Sequence, residues 1–119
     1  MTSLPSAYSN VAEIVATTSV TQNAWNHIAL VKNSGTTTLY LNGVSQGTYA
    51  DAVDYGVAKP LIIGNTFAAT AAFAGYIDEF RVTKGLARYT ANFGVPGGEF
   101  VSDANTVLLL HFNNAGDSS

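Results

Sequence analysis

An antiparallel, all-β domain is what this sequence predicts, on three observations. Short runs rich in Thr, Val, Ile and Tyr recur between Gly, Asn and Pro. No stretch keeps apolar residues at three-four spacing over a dozen positions, so an amphipathic helix is not expected. The dipeptide Asn42-Gly43 separates Leu39-Tyr40-Leu41 from Val44-Ser45-Gln46, and a two-residue turn with both residues at positive φ strongly favours that pair.

Taken in order, strands are expected near residues 10–21, 25–32, 37–41, 44–49, 60–63, 75–83 and 106–113, a spacing that suits a sandwich. Asn33-Ser34-Gly35 supplies a second turn, so residues 25–49 read as a three-stranded meander. In its first strand Ile28 and Leu30 share one face while Trp25, His27, Ala29 and Val31 share the other, the pattern of a central strand with Trp25 in the core. Residues 107–112 are likewise apolar on both sides and should be covered above and below. Residues 66–74 read as a loop or hairpin tip over a hydrophobic surface, and residues 85–98 as an irregular segment or short helical turn.

Composition narrows the function. The chain has 119 residues, the size of one domain spanning 1–119, with 47% apolar and 11% charged side chains. A net charge of -3 without any basic cluster offers nothing to a phosphate backbone or an anionic bilayer, so neither nucleic acid nor membrane insertion is expected. The apolar run Val107 to Leu110 is far short of the ~20 residues a membrane span needs. Cysteine is absent, which removes disulfides, thiolate catalysis and Cys-ligated zinc.

The order of motifs carries a family resemblance. Trp25-Asn26-His27-Ile28-Ala29-Leu30-Val31, Leu39-Tyr40-Leu41-Asn42-Gly43, Leu61-Ile62-Ile63-Gly64 and Gly75-Tyr76-Ile77-Asp78-Glu79-Phe80-Arg81-Val82 resemble the laminin G-like branch of the concanavalin A-like lectin/glucanase superfamily. The best-matching core is 22–93. The piece from Gly85 to Phe93 looks like versions found in bacteriophage tail proteins and bacterial surface proteins. The resemblance implies an antiparallel jelly-roll β-sandwich of two curved sheets. In that family the strand similar to residues 104–113 normally opens the domain, whereas here it closes the sequence. A circular permutant, a piece of a tandem array, or a subunit completed by a neighbour would each give that order. The expectation is an incomplete or permuted sandwich that forms a homo-oligomer or larger assembly through its strand edges.

Catalysis is not expected. A glycanase needs two carboxyl groups flanking the bond, about 5 Å apart for retention or wider for inversion. The Glu-x-Asp-x-x-Glu pattern of the glucanase members is absent. Asp51 and Asp54 fall in an expected loop and read as solvated charges. Asp78 and Glu79 are adjacent, so on a strand they point to opposite faces. His27 and His111 lie in apolar strands and read as hydrogen-bonded structural imidazoles. Two separated histidines do not make a zinc site. Glu79 and Arg81 read as a structural ion pair, and Arg88 as a residue that stacks on Tyr89 or pins its loop.

Calcium takes six to eight oxygen ligands and can be held by one Asp with loop carbonyls. The resemblance aligns Asp78 with an Asp that binds structural calcium in some glucanase relatives; hydrogen bonding to backbone amides is the alternative. Asp103, Asn105, Asn113, Asn114 and Asp117 read as turn residues. Sugar binding needs an aromatic platform beside amides or carboxylates, and the loop-rich candidates are Tyr49, Asp51, Asp54, Tyr55, Asn65 and Thr66. The expected function is therefore a non-enzymatic adhesion or recognition module, extracellular or on a virion surface, binding a glycan or cell-surface receptor. A purely structural subunit and a degenerate glycoside hydrolase are the alternatives.

Overall fold

The computed structural model describes residues 4–9, 12–54, 60–65 and 68–113. The chain divides into two compact units, one of Met1–Val53 with Gly85–Gly97, the other of Asp54–Lys84 with Gly98–Ser119. The described residues contain seven strands, all paired antiparallel, and no helix.

In the first unit, β1 (Ser6–Ser9) pairs with β2 (Ala12–Val15), and β3 (Ile28–Asn33), β4 (Thr36–Leu41) and β5 (Val44–Ala50) form a meander in that order. The single expected strand over 10–21 is thus replaced by the β1/β2 pair, extended by a bond from the Ala16 amide to the Pro5 carbonyl (2.8 Å). Both meander turns form as expected, with φ of 49° and 80° at Ser34 and Gly35 and of 50° and 81° at Asn42 and Gly43.

The central strand is β4, not the Trp25-bearing segment. Adjacent residues of a strand face opposite ways, so Leu39 and Tyr40 diverge, yet both are buried. Leu39 packs with Ala7, Ile14 and Ala16, and Tyr49 lies against that cluster. Tyr40 meets Tyr89 and Phe93 edge-on, His27 meets the same two rings edge-on, and the Tyr89 and Phe93 rings stack with centroids 3.5 Å apart. β3 instead lies at the sheet's margin: among the described residues no strand pairs with its outer edge, and Ile28 and Leu30 are exposed. Trp25 precedes the strand and is exposed, which corrects its assignment to the core.

Register shifts between Leu39 and Tyr40, where Leu39 faces Gly47 and Tyr40 faces Ser45, so Gln46 is the extra residue of a bulge. The bulge turns Gln46 inward. Its Oε1 accepts from the Thr17 amide (3.1 Å), the Thr17 hydroxyl (3.2 Å) and the Thr18 amide (3.0 Å), and its Nε2 donates to the Val44 carbonyl (3.1 Å). One buried amide thus holds the chain leaving β2 against β5.

In the second unit β6 (Phe80–Thr83) pairs with β7 (Thr106–Leu110). The expected strand over 75–83 begins five residues late because Glu79 adopts φ 50° and its amide is bonded by the Asp78 carboxylate (2.9 Å). That left-handed residue interrupts an extended run. Residues 60–63 are not a strand, and residues 68–74 are an exposed loop rather than a tip over an apolar surface. β7 is covered over only part of its length: Leu109 is buried, but Val107 on the same face is exposed, as is Phe112 beyond the strand, and Leu108 and Leu110 on the other face are half-buried, which corrects the expected full burial above and below. No helix among the described residues is long and apolar enough to cross a membrane.

Gly43 and Gly35 both sit at positive φ, but their surroundings differ. A Cβ on Gly43 would lie 1.9 Å from the Phe93 carbonyl oxygen, whereas one on Gly35 would meet nothing within 4 Å. Gly43→Ala should therefore destabilise clearly more than Gly35→Ala, whose cost is about 1 kcal/mol from backbone strain alone. Denaturant unfolding of the two variants measures the difference. Leu39→Ala should cost about 2–5 kcal/mol by leaving a cavity between β4 and the β1/β2 pair.

Candidate functional site

The first unit places networks of polar side chains at both ends of its meander. At the Ser34-Gly35 end stands Asp51, which sequence reasoning placed in a solvated loop. It is 1% exposed. Its amide donates to the Gly35 carbonyl (2.8 Å), its Oδ2 accepts from the Thr37 hydroxyl (2.6 Å), and its Oδ1 accepts from the Val53 amide (3.0 Å). Lys32 Nζ lies 3.8 Å from Oδ1 and also donates to the Val53 carbonyl. A carboxylate enclosed in this way is satisfied by hydrogen bonds and a nearby ammonium in place of water. It joins β3, β4 and the chain leaving β5, and its oxygens face protein rather than a ligand. Tyr49 likewise packs on the apolar cluster and does not stand out as a platform.

Asp54 and Asn65, in the second unit, are exposed, and Asn65 Oδ1 accepts from the Ala71 amide (3.1 Å). Tyr55 and Thr66, with Asn114 and Asp117, lie outside the described residues.

The Asn42-Gly43 end is built from amide side chains. Asn42 Oδ1 accepts from the His27 amide (2.7 Å) while the Asn42 amide donates to the His27 carbonyl (2.8 Å). Asn42 Nδ2 donates to Asn26 Oδ1 (3.2 Å). Asn26 in turn closes the turn before β3: its Oδ1 accepts from the Thr21 amide (3.0 Å), and its Nδ2 donates to the carbonyls of Thr21 (2.9 Å) and Ala24 (3.0 Å). From the other side Asn92 Oδ1 accepts from the Ser45 amide (2.9 Å) and the Phe93 amide donates to the Gly43 carbonyl (2.9 Å). Three chain segments are thereby fixed at one end of the sheet, with Gln22, Asn23 and Trp25 exposed on the first.

In the second unit Glu79 does not pair with Arg81. Because Glu79 lies in a left-handed turn ahead of β6, the two do not share a strand face. The Glu79 carboxylate instead approaches His111 Nδ1 at 2.9 and 3.0 Å and accepts from the Phe100 amide (2.7 Å), while the Arg81 guanidinium sits 4.4 Å from the centre of the Phe100 ring. His111 is a hydrogen-bonded imidazole, as expected. Asp103 closes the turn before β7, accepting from the Asn105 amide (3.0 Å) and the Thr106 hydroxyl (3.0 Å), and Asn113 donates to Glu99 (3.1 Å). Asp78 bonds its neighbour's amide, and among the described residues no three His, Asp or Glu side chains gather as metal ligands.

Sequence reasoning missed the turn at residues 21–26. Two signals were present: the polar, charge-free run Thr21-Gln22-Asn23, and the second Asn, Asn26, within reach of the Asn42-Gly43 turn. Alternation alone assigned Trp25 to a strand face, whereas Asn26 holds the preceding residues in a turn and keeps the indole outside the sheet.

A family model described as Laminin_G_3, concanavalin A-like lectin/glucanases superfamily, matches residues 2–87. No curated protein and no solved structure matches the chain.

The Asp51 network carries its own test. Asp51→Ala strands the Thr37 hydroxyl and the Val53 amide and removes the counter-charge of Lys32, so a loss of about 3 kcal/mol is expected. Asp51→Asn, which keeps the acceptor, should lose less. Thermal unfolding followed by circular dichroism measures both.

Proposed function

Because the chain belongs to the concanavalin A-like lectin/glucanases superfamily, we propose that it is a non-enzymatic recognition module, binding a glycan or cell-surface receptor from an extracellular or virion-surface setting such as a phage tail. The observation that carries this reading is the Asn42-Gly43 end of the meander. There, polar segments are fixed by side-chain amides before any ligand arrives, which reduces the ordering cost of binding. The use of the carboxylates supports the non-enzymatic part. Asp51 is enclosed, and Glu79 is committed to His111 and the Phe100 amide, so neither is positioned as the acid or base of a glycosidase.

A second reading, assembly through strand edges, is favoured by the outer margin of β3. Its backbone edge pairs with no strand among the described residues, and Ile28 and Leu30 beside it are exposed. Edges of this kind accept strands from other chains.

A glycan array probed with the purified chain, alongside its mass in dilute solution, separates the two. Specific retention of a glycan by a monomer is expected from the recognition reading. A stable oligomer without glycan retention would replace it with the architectural one. In that case Leu30→Lys should return the oligomer to monomer.

A further inference from the structure

Trp25 is the chain's sole tryptophan and is 69% exposed. An indole left in water forgoes the burial that usually stabilises a large apolar side chain. The turn that carries it is nevertheless held, since Asn26 makes four hydrogen bonds that close the turn and tie it to Asn42. Gln22 and Asn23, the latter in the left-handed conformation at φ 56°, are exposed on the same turn. Among the described residues the side chains of Gln22, Asn23 and Trp25 make no hydrogen bond or ring contact. An exposed aromatic face, two uncommitted amides and an indole N–H thus stand within four residues. Each amide offers two donors and an acceptor oxygen.

The charge pattern selects among ligands. From residue 14 to residue 31 the chain has no Asp, Glu, Lys or Arg, and the one histidine there, His27, packs against Tyr89 and Phe93. The turn's own residues therefore offer no cation to a carboxylate or sulfate and no carboxylate to a metal ion. A ligand suited to it has an apolar face matching an indole, neutral hydroxyls around its rim, and no ionic group.

We propose that the turn at residues 21–26 binds neutral pyranose sugars, the C–H face of the ring stacking on Trp25 and its hydroxyls bonding Gln22 and Asn23, without calcium. This assignment rests on the recognition reading and adds the site and the ligand class.

A single tryptophan makes its own emission a reporter of this site. The full chain is titrated with methyl β-D-galactopyranoside, methyl β-D-glucopyranoside, sialyllactose and a heparin oligosaccharide. Emission and iodide quenching follow Trp25, while saturation-transfer NMR detects sugar bound anywhere. A neutral pyranoside should shift the emission, shield the indole from iodide and ignore chelator. Trp25→Ala should weaken its NMR-measured binding about tenfold, the loss of a stacking contact near 1.4 kcal/mol, with an unchanged melting temperature. Trp25→Phe should recover part of the affinity. The double change Gln22→Ala with Asn23→Ala should weaken binding while leaving the ring exposed. Binding seen by NMR with undisturbed emission and full retention in Trp25→Ala would overturn this site and leave the recognition reading standing. A response confined to sialyllactose or heparin would overturn the neutral ligand class. Silence of all four sugars in both measurements would overturn the sugar reading as well as this one.

Discussion

Leu39 and Tyr40 are neighbours on one strand, and both must leave water on opposite sides of it. That constraint organises the first unit. Covering Leu39 requires the β1/β2 pair to lie against β4 and β5, with Ala7, Ile14 and Ala16 as the contact. Covering Tyr40 requires aromatic rings on the other face, supplied by Tyr89 and Phe93 from residues 85–97, which His27 from the chain entering β3 meets in turn. Dispersion and apolar burial drive both contacts without direction, so the directional work falls to polar groups at the margins.

Those polar groups divide between the two ends of the sheet. At one end a carboxylate, Asp51, gathers a hydroxyl, an amide and an ammonium from three stretches of chain. At the other, Asn26, Asn42 and Asn92 satisfy backbone amides and carbonyls that the turns leave unpaired. The bulge at Gln46 adds a third fixing point in between. A charged clamp and a neutral amide lattice have different uses. The first is closed to solvent and serves stability. The second lies among exposed side chains and shapes a surface.

Much of this was legible in the residues. The meander followed from Asn33-Ser34-Gly35 and Asn42-Gly43, because few dipeptides accept two consecutive positive φ angles. The family followed from four motifs in order, and the matching model covers residues 2–87, starting earlier and stopping sooner than the 22–93 core. What local pattern could not deliver was which apolar strand is central. β3 and β4 both carry apolar side chains on both faces, and only the distant segments that cover β4 distinguish them. Asp51 was misread for the same reason, since its partners Lys32 and Thr37 lie 19 and 14 positions earlier in the sequence. Glu79 defeated alternation by taking a conformation that non-glycine residues seldom adopt.

Tyr40 and the rings that cover it are separated by about half the polypeptide, and this has a kinetic meaning. Synthesis proceeds from the amino end at roughly 5–20 residues per second, so the meander emerges seconds before Tyr89 and Phe93 exist. During that interval one side of β4 is naked hydrocarbon, and only local hairpin contacts can form. Closure over such a long loop is slow relative to hairpin formation. The nascent chain thus passes through a stage in which the Tyr40 face of β4 is a sticky surface, the stage at which a chaperone would have something to hold.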